Sequence, residues 1–243
     1  MADLRRETRI LKEILGLKYE PIAVKFFEDK IQLDGFETPS ERRYCQILTG
    51  AREGKRYLLT VDNIACPAAA WALGFKVPPD KLASGEMPAG MGIFGSAAAA
   101  RNTLSTMPRL RMGKYKMVAC CPLAEALFVP DVVVIESVPE HLMWVALASV
   151  FETGGRLTFS TAILQATCVD ATIAPFLNQE LNASLGCYGC REATNMAESE
   201  CVLGFPIKDL EAIVAALEKL NQKAIPRVRG KTVYRALSSR GGC

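Results

Sequence analysis

The stretch from Ala183 to Cys201, ASLGCYGCREATNMAESEC, holds three of the nine cysteines in the chain. Two of them form the pair Cys187-Tyr188-Gly189-Cys190, with Gly186 just before it. Thiolates two residues apart can face one centre, so this spacing serves zinc sites, iron–sulfur clusters and redox dithiols alike. Gly186 and Gly189 let the backbone take φ > 0 and pass close to whatever the sulfurs hold. A closed site needs about four ligands. Cys201 is too far along and falls in a predicted strand, so the remaining ligands must come from distant parts of the chain.

Cysteine usage then turns on compartment. The longest apolar run, Leu142 to Phe151, is about ten residues broken by Ser149, and a bilayer span needs roughly twenty. The N-terminus is charged from Asp3 onward and has no apolar segment of the secretory kind. A cytoplasmic protein is therefore expected, where thiols stay reduced and metal or redox roles displace a disulfide framework. The single histidine, His141, removes most mixed Cys/His zinc sites and any serine hydrolase needing a second imidazole. It follows Pro139-Glu140 at a predicted helix start and reads as a surface or capping residue.

The net charge of +3 is too small to imply a nucleic-acid partner, and nothing implies a membrane. The charge is uneven, however. Between Glu86 and Glu125 there is no acid, while Arg101, Arg109, Arg111, Lys114 and Lys116 are basic. After Glu218 the tail carries Lys223, Arg227, Arg229, Lys231, Arg235 and Arg240, again without an acid. Such stretches serve as solvated faces or as anion-binding surfaces.

Strands and helices alternate along the whole chain with no linker-like composition. The spacing predicts helices over 4–15, from Arg42 to near Gly54, from Pro67 to Gly74, from Ser96 to about Leu104 and over 139–151. The cleanest apolar stripe is Leu210, Ile213, Val214, Leu217 and Leu220. Strands are predicted at 21–27, 57–61, 116–120, 131–136, 157–161 and 202–205. Residues 76–95, rich in Pro, Gly and Met, read as a long loop or lid, and Cys121-Pro122 as the start of a short helix. The expectation is one domain over 1–243, α/β or α+β, with a mixed sheet and flanking helices. A basic tail begins at about residue 222. Neither a G-x-G-x-x-G nor a Walker loop is present to support a nucleotide site.

Cys45 and Cys66 each sit at a predicted helix start, where the dipole favours a thiolate. Cys66 is followed by a proline, as in the ferredoxin run that ends Cys-Pro. Cys168 falls on a predicted helix. Cys120, Cys121 and Cys201 read as core residues in or beside strands, and Cys243 lies in a Gly-Gly-Cys tail.

RYCQ at 43–46, CPAAAWALGF at 66–75, PDVVV at 130–134, GGR at 154–156, QATCVDAT at 165–172 and SLGCYGCREAT at 184–194 together are similar to the DUF169 family. This is an uncharacterised group found in anaerobic archaea and bacteria. The resemblance runs from GLKYEPIAVKF at 16–26 to the LEAIVAALEKL helix. It implies a fold rather than an activity. It also implies that Cys45, Cys66, Cys168 and Cys187 occupy positions where the family carries cysteine, while serine stands at the place of Cys190 in some members.

The leading expectation is an iron–sulfur protein holding one [4Fe-4S] cluster on Cys45, Cys66, Cys187 and Cys190, with Cys168 as the replacement for any one of them. Electron transfer, redox sensing or small-molecule chemistry at an open iron would follow, with a redox protein as partner. A zinc ion on four cysteines is the alternative cofactor. A second class is a binding module in which the 76–95 loop and the basic residues 101–116 hold a small anion and the cysteines are structural. Either protein could form a homo-oligomer. A third reading, a dithiol oxidoreductase using Cys187 and Cys190, requires a βαβ context that places the pair at a helix start after a strand. The preceding FLNQELNASLG is not strand-like.

Overall fold

The computed structural model describes residues 3–238; Cys243 lies outside them. Helix α1 (Leu4–Leu15) opens the fold, with the Asp3 carboxylate accepting from the Arg5 and Arg6 N–H groups. Next come β1 (Ile22–Phe27), α2 (Tyr44–Arg52), β2 (Tyr57–Thr60) and α3 (Pro67–Ala72). The 76–95 segment is not a continuous loop. It folds into two short helices, α4 (Asp80–Ala83) and α5 (Glu86–Gly90), before α6 (Ala97–Ser105). Strands β3 (Met117–Pro122) and β4 (Val132–Ser137), then α7 (Pro139–Ser149), follow. Cys121-Pro122 ends β3, and Pro122 also caps the expected short helix, a 3-10 turn at Leu123–Glu125. A π-helix at Ala166–Ile173 runs into α8 (Ala174–Asn178). It is followed by β5 (Asn182–Ser184), α9 (Tyr188–Ala193), β6 (Cys201–Pro206), α10 (Leu210–Arg229) and α11 (Thr232–Ser238). The basic stretch from 222 continues α10 as far as Arg229 and then enters α11, while Arg240 lies outside the described residues.

The six strands form one sheet in the order β2-β3-β1-β4-β6-β5, antiparallel in every pairing. The α+β form of the expectation describes it. Alternate residues along each strand face opposite sides, and the two sides bury different partners. Ile22, Val24, Val118, Cys120, Val132, Val134 and Val202 pack against α2, α3, the π-helix and the 187–190 segment. Ala23, Cys121, Val133, Ile135, Leu203 and Phe205 pack against α1, α7 and α10. Cys120 and Cys121, both fully buried, are consecutive and so enter opposite cores. The expected C-terminal stripe is buried, with Ile213 and Leu217 wholly inaccessible. Among the described residues, no helix is long and apolar enough to cross a membrane.

Residues 157–161, expected as a strand, run without a ladder partner at the open edge of β5. The Asn182 side chain stands in for a ladder there. Its amide accepts from Ser160 N at 2.8 Å and donates to Ser160 O at 2.9 Å. Conversely, Asn182–Ser184 is a strand where the sequence showed none; it pairs with β6 through only three residues.

Candidate metal centre

The helix-bearing face of the sheet that carries α2 and α3 also holds a cavity of about 280 Å³. All five candidate cysteines, Cys45, Cys66, Cys168, Cys187 and Cys190, are among the residues that line it. They arrive on four separate elements. Cys45 is the second residue of α2, Cys66 is the N-cap of α3, Cys168 lies in the π-helix, and Cys187 is the N-cap of α9 with Cys190 in its first turn. Leu82, Met87, Pro88, Met91 and Ile93 from the α4–α5 segment form part of the cavity wall. The basic residues 101–116 are not part of the lining; Arg109 instead stacks over Trp71 at 4.6 Å.

Side-chain bonds hold these elements in register. The buried Tyr44 hydroxyl bonds Thr172 Oγ1 at 3.1 Å, tying α2 to the π-helix. Gln46 Nε2 donates to Ala193 O at 3.2 Å, tying α2 to α9. At the rim, Arg43 and Glu192 form an ion pair at 3.0 Å, both substantially exposed. Gly186, at φ +94°, turns the chain from β5 into α9 through a conformation that favours glycine.

The Cys187–Cys190 pair is internally bonded. Cys187 Sγ accepts from Cys190 N at 3.4 Å, and Cys190 Sγ accepts from Cys187 N at 3.0 Å. Cys190 Sγ also donates to Cys187 O at 3.1 Å and lies 3.6 Å from Met196 Sδ, so this thiol is turned inward. Cys187 is the thiolate-favouring member. The Cys190 thiol, together with the backbone N–H groups of Cys190, Ala166 and Gln165, brings it below the usual thiol value despite burial. Cys190 is pushed the other way, first by its bond to Cys187 and then by burial. Burial lifts Cys45 to about 12, with the Cys187 and Cys66 sulfurs adding to it. Cys168 is raised well above the usual thiol value by burial, and Cys66, Cys187 and Cys45 add to that. The Cys66 and Cys187 sulfurs thus both act on Cys45 and on Cys168.

Two further features are invisible in the motifs. The chain enters the π-helix through positive φ at Ile163 (+55°) and Gln165 (+66°), a conformation costly for a β-branched residue. Single π turns recur at functional sites. Gln165 is buried and lines the cavity, yet its Nε2 has no hydrogen-bond partner. A buried donor left unpaired costs about 1–3 kcal/mol, so this donor fits an acceptor held in the cavity. Among the described residues, no three His, Cys, Asp or Glu side chains come close enough to hold a single metal ion. The thiols ring a space; they do not meet at a point.

The family model of DUF169, described as an uncharacterised ArCR group, matches residues 10–216. The chain belongs to the DUF169 family. All five cavity cysteines fall within the matched span, as does the whole sheet. An uncharacterised protein of Methanocaldococcus jannaschii is similar, 32% identical over 224 residues, covering 90% of this chain and 96% of that one. No solved structure matches the chain. DUF169 membership fixes the fold's kinship and carries no activity with it.

Proposed function

We propose that the chain is a cytoplasmic iron–sulfur protein holding one [4Fe-4S] cluster on Cys45, Cys66, Cys168 and Cys187, for electron transfer or redox sensing. The convergence of four elements' cysteines on one cavity carries the reading. Each thiolate of a cuboidal cluster binds a different iron, so its ligands stand farther apart than those of one ion. Cysteines from four elements lining one cavity support that arrangement, with a four-cysteine zinc site as the alternative. The unpaired Gln165 donor has an acceptor in a cluster's sulfides. Cys168 replaces Cys190 in the ligand set because Cys190 is turned onto Cys187 and Met196. A bound cluster supplies one-electron redox chemistry. The chain's own contribution is to line the site with apolar side chains such as Leu82 and Met87 and to hold Cys187 ready as thiolate.

Anaerobic purification tests this. Iron and acid-labile sulfide in near-equal amounts, a broad brown absorption, and a paramagnetic signal after reduction are expected. Cys66→Ser should lose most of the iron, while Cys201→Ser, outside the cavity, should keep it. Zinc in place of iron, or a Cys66→Ser protein with a full and spectroscopically unaltered cluster, overturns the reading.

A further inference from the structure

Cys190 is the fifth thiol at a cavity where four suffice, and the proposed ligand set does not use it. It belongs to the C-x-x-C pair, whose two residues are hydrogen-bonded to each other. Cys187 and Cys190 exchange backbone-to-sulfur hydrogen bonds in both directions, at 3.4 and 3.0 Å. Cys45, Cys66 and Cys168 stand on separate elements, and Cys120 and Cys121 enter opposite cores. The chain around the pair is strand, glycine turn, then C-x-x-C opening a helix. A strand does precede the pair, as the sequence did not show, but β5 and β6 on either side of α9 are antiparallel, so the required βαβ unit is not formed.

Access is asymmetric as well. Cys187 lines the main cavity and also a second, open groove of about 410 Å³ formed with Ile163, Leu185, Tyr188, Arg191 and Glu198. Cys190 lines the cavity but not this groove, and is 1% exposed. Cys187 is also buried, at 6% exposed, but the groove borders Cys187 and not Cys190.

We infer that Cys187 and Cys190 form an exchangeable dithiol, reacting with small disulfides from the outer groove and controlling whether the cavity can take metal. In the metal-free protein, the Cys187 thiolate attacks one sulfur of a disulfide RSSR. The S–S bond breaks, a mixed disulfide forms at Cys187, and RS⁻ leaves and takes up a proton. Cys190, losing its proton, then attacks the Cys187 sulfur and expels the second RS⁻. Two cysteine thiols are oxidised to one disulfide, and RSSR is reduced to two RSH. While bridged, Cys187 cannot ligate iron; excess thiol reverses the steps and frees it. The exchange stands apart from the iron–sulfur reading, and only the control of loading rests on it.

The test uses full-length protein stripped of metal by a chelator and equilibrated anaerobically with mixtures of oxidised and reduced glutathione. Free thiols are then alkylated, counted and mapped by peptide mass. Oxidising mixtures should remove two alkylatable thiols per chain, both mapping to 187 and 190, and reduced glutathione should restore them. Cys190→Ser should trap glutathione on Cys187 as a stable mixed disulfide, and Cys187→Ser should do neither. Bridged wild-type protein should take up iron and sulfide only after reduction. The wild-type peptide map needs no variant to fold. Retention of every thiol across the series, or a bridge mapped to another pair, overturns the exchange. Equal iron uptake by bridged and reduced protein overturns the gating. The iron content of protein as purified, measured separately, reports on the cluster itself.

Discussion

Gln165 is a donor without an acceptor, buried in the wall of the thiol cavity. Hydrogen bonds to cluster sulfurs stabilise the reduced, more negative state more than the oxidised one and so raise the potential. Gln165→Leu should therefore shift the reduction potential of the loaded protein downward. A differential of about 1 kcal/mol for one bond corresponds to about 40 mV for one electron; redox titration with no shift would remove Gln165 from the site. A second buried polar group acts through pH. Arg52 is wholly buried between Glu136 at 3.0 Å and Glu200 at 3.1 Å, one cation facing two carboxylates. Burial lifts Glu136 from 4.5 to about 7, Arg52 opposing and Glu200 reinforcing. Because the folded-state value is raised, the protonated folded form is favoured below about 4.5, and that stability is lost as pH rises through about 7. Glu136→Gln removes this loss. Relative to the parent chain, the variant should gain stability between about pH 5 and pH 8, on the order of 1 kcal/mol or more. Urea unfolding at both pH values measures it, and a gain confined to the acid side would contradict the assignment.

At the scale of elements, the closest backbone approach near the site is that of β6 to the π-helix. A Cβ placed on Gly204 would lie 1.8 Å from the Ala171 carbonyl oxygen. Backbone cannot swing aside as a side chain would, so the π-helix must lift off the sheet, taking Cys168 with it. Gly204→Ala should cost about 1–3 kcal/mol, the range for overpacking, and should lower iron per chain. Unchanged unfolding midpoint and iron content would mean that the π-helix does not need this contact. The same elements show what a sequence can and cannot display. Cys45 and Cys66 were legible as helix starts because Pro67 at the first helical position and the register of α2 are local facts. The π-helix was not, since an apolar run such as ATCVDATI has the same residue types whether its bonds span four residues or five. Residues 157–161 have strand-forming side chains but meet the sheet through one asparagine amide, a tertiary substitution that no local pattern announces. Strand β5 escaped notice for the opposite reason: three residues carry too little alternation to register.

The whole molecule divides along its sheet. One face carries the apolar core of α1, α7 and α10; the other carries α2, α3, the π-helix and the C-x-x-C helix around the cavity. Only the second face would gain from metal, because ligand binding to preformed thiols adds its free energy to the elements that supply them. Those elements are short: α3 and α9 have six residues each, too few to persist without tertiary support. By contrast α10 has twenty residues and a fully buried stripe at Leu210, Ile213 and Leu217. Local opening follows such differences, being easiest where buried apolar contact is least. Removing iron under anaerobic conditions should therefore speed amide hydrogen exchange in 44–52, 66–72, 165–173 and 187–193. Exchange in α1 and α10 should stay unchanged. Oxidation of the Cys187–Cys190 pair in the stripped protein should restore protection only to 187–193, because a bridge ties that turn to itself and to nothing else. Uniform acceleration across both faces would mean that the sheet transmits the loss and the two cores are one cooperative unit. Acceleration confined to α9 would mean that Cys187 and Cys190 alone hold the metal.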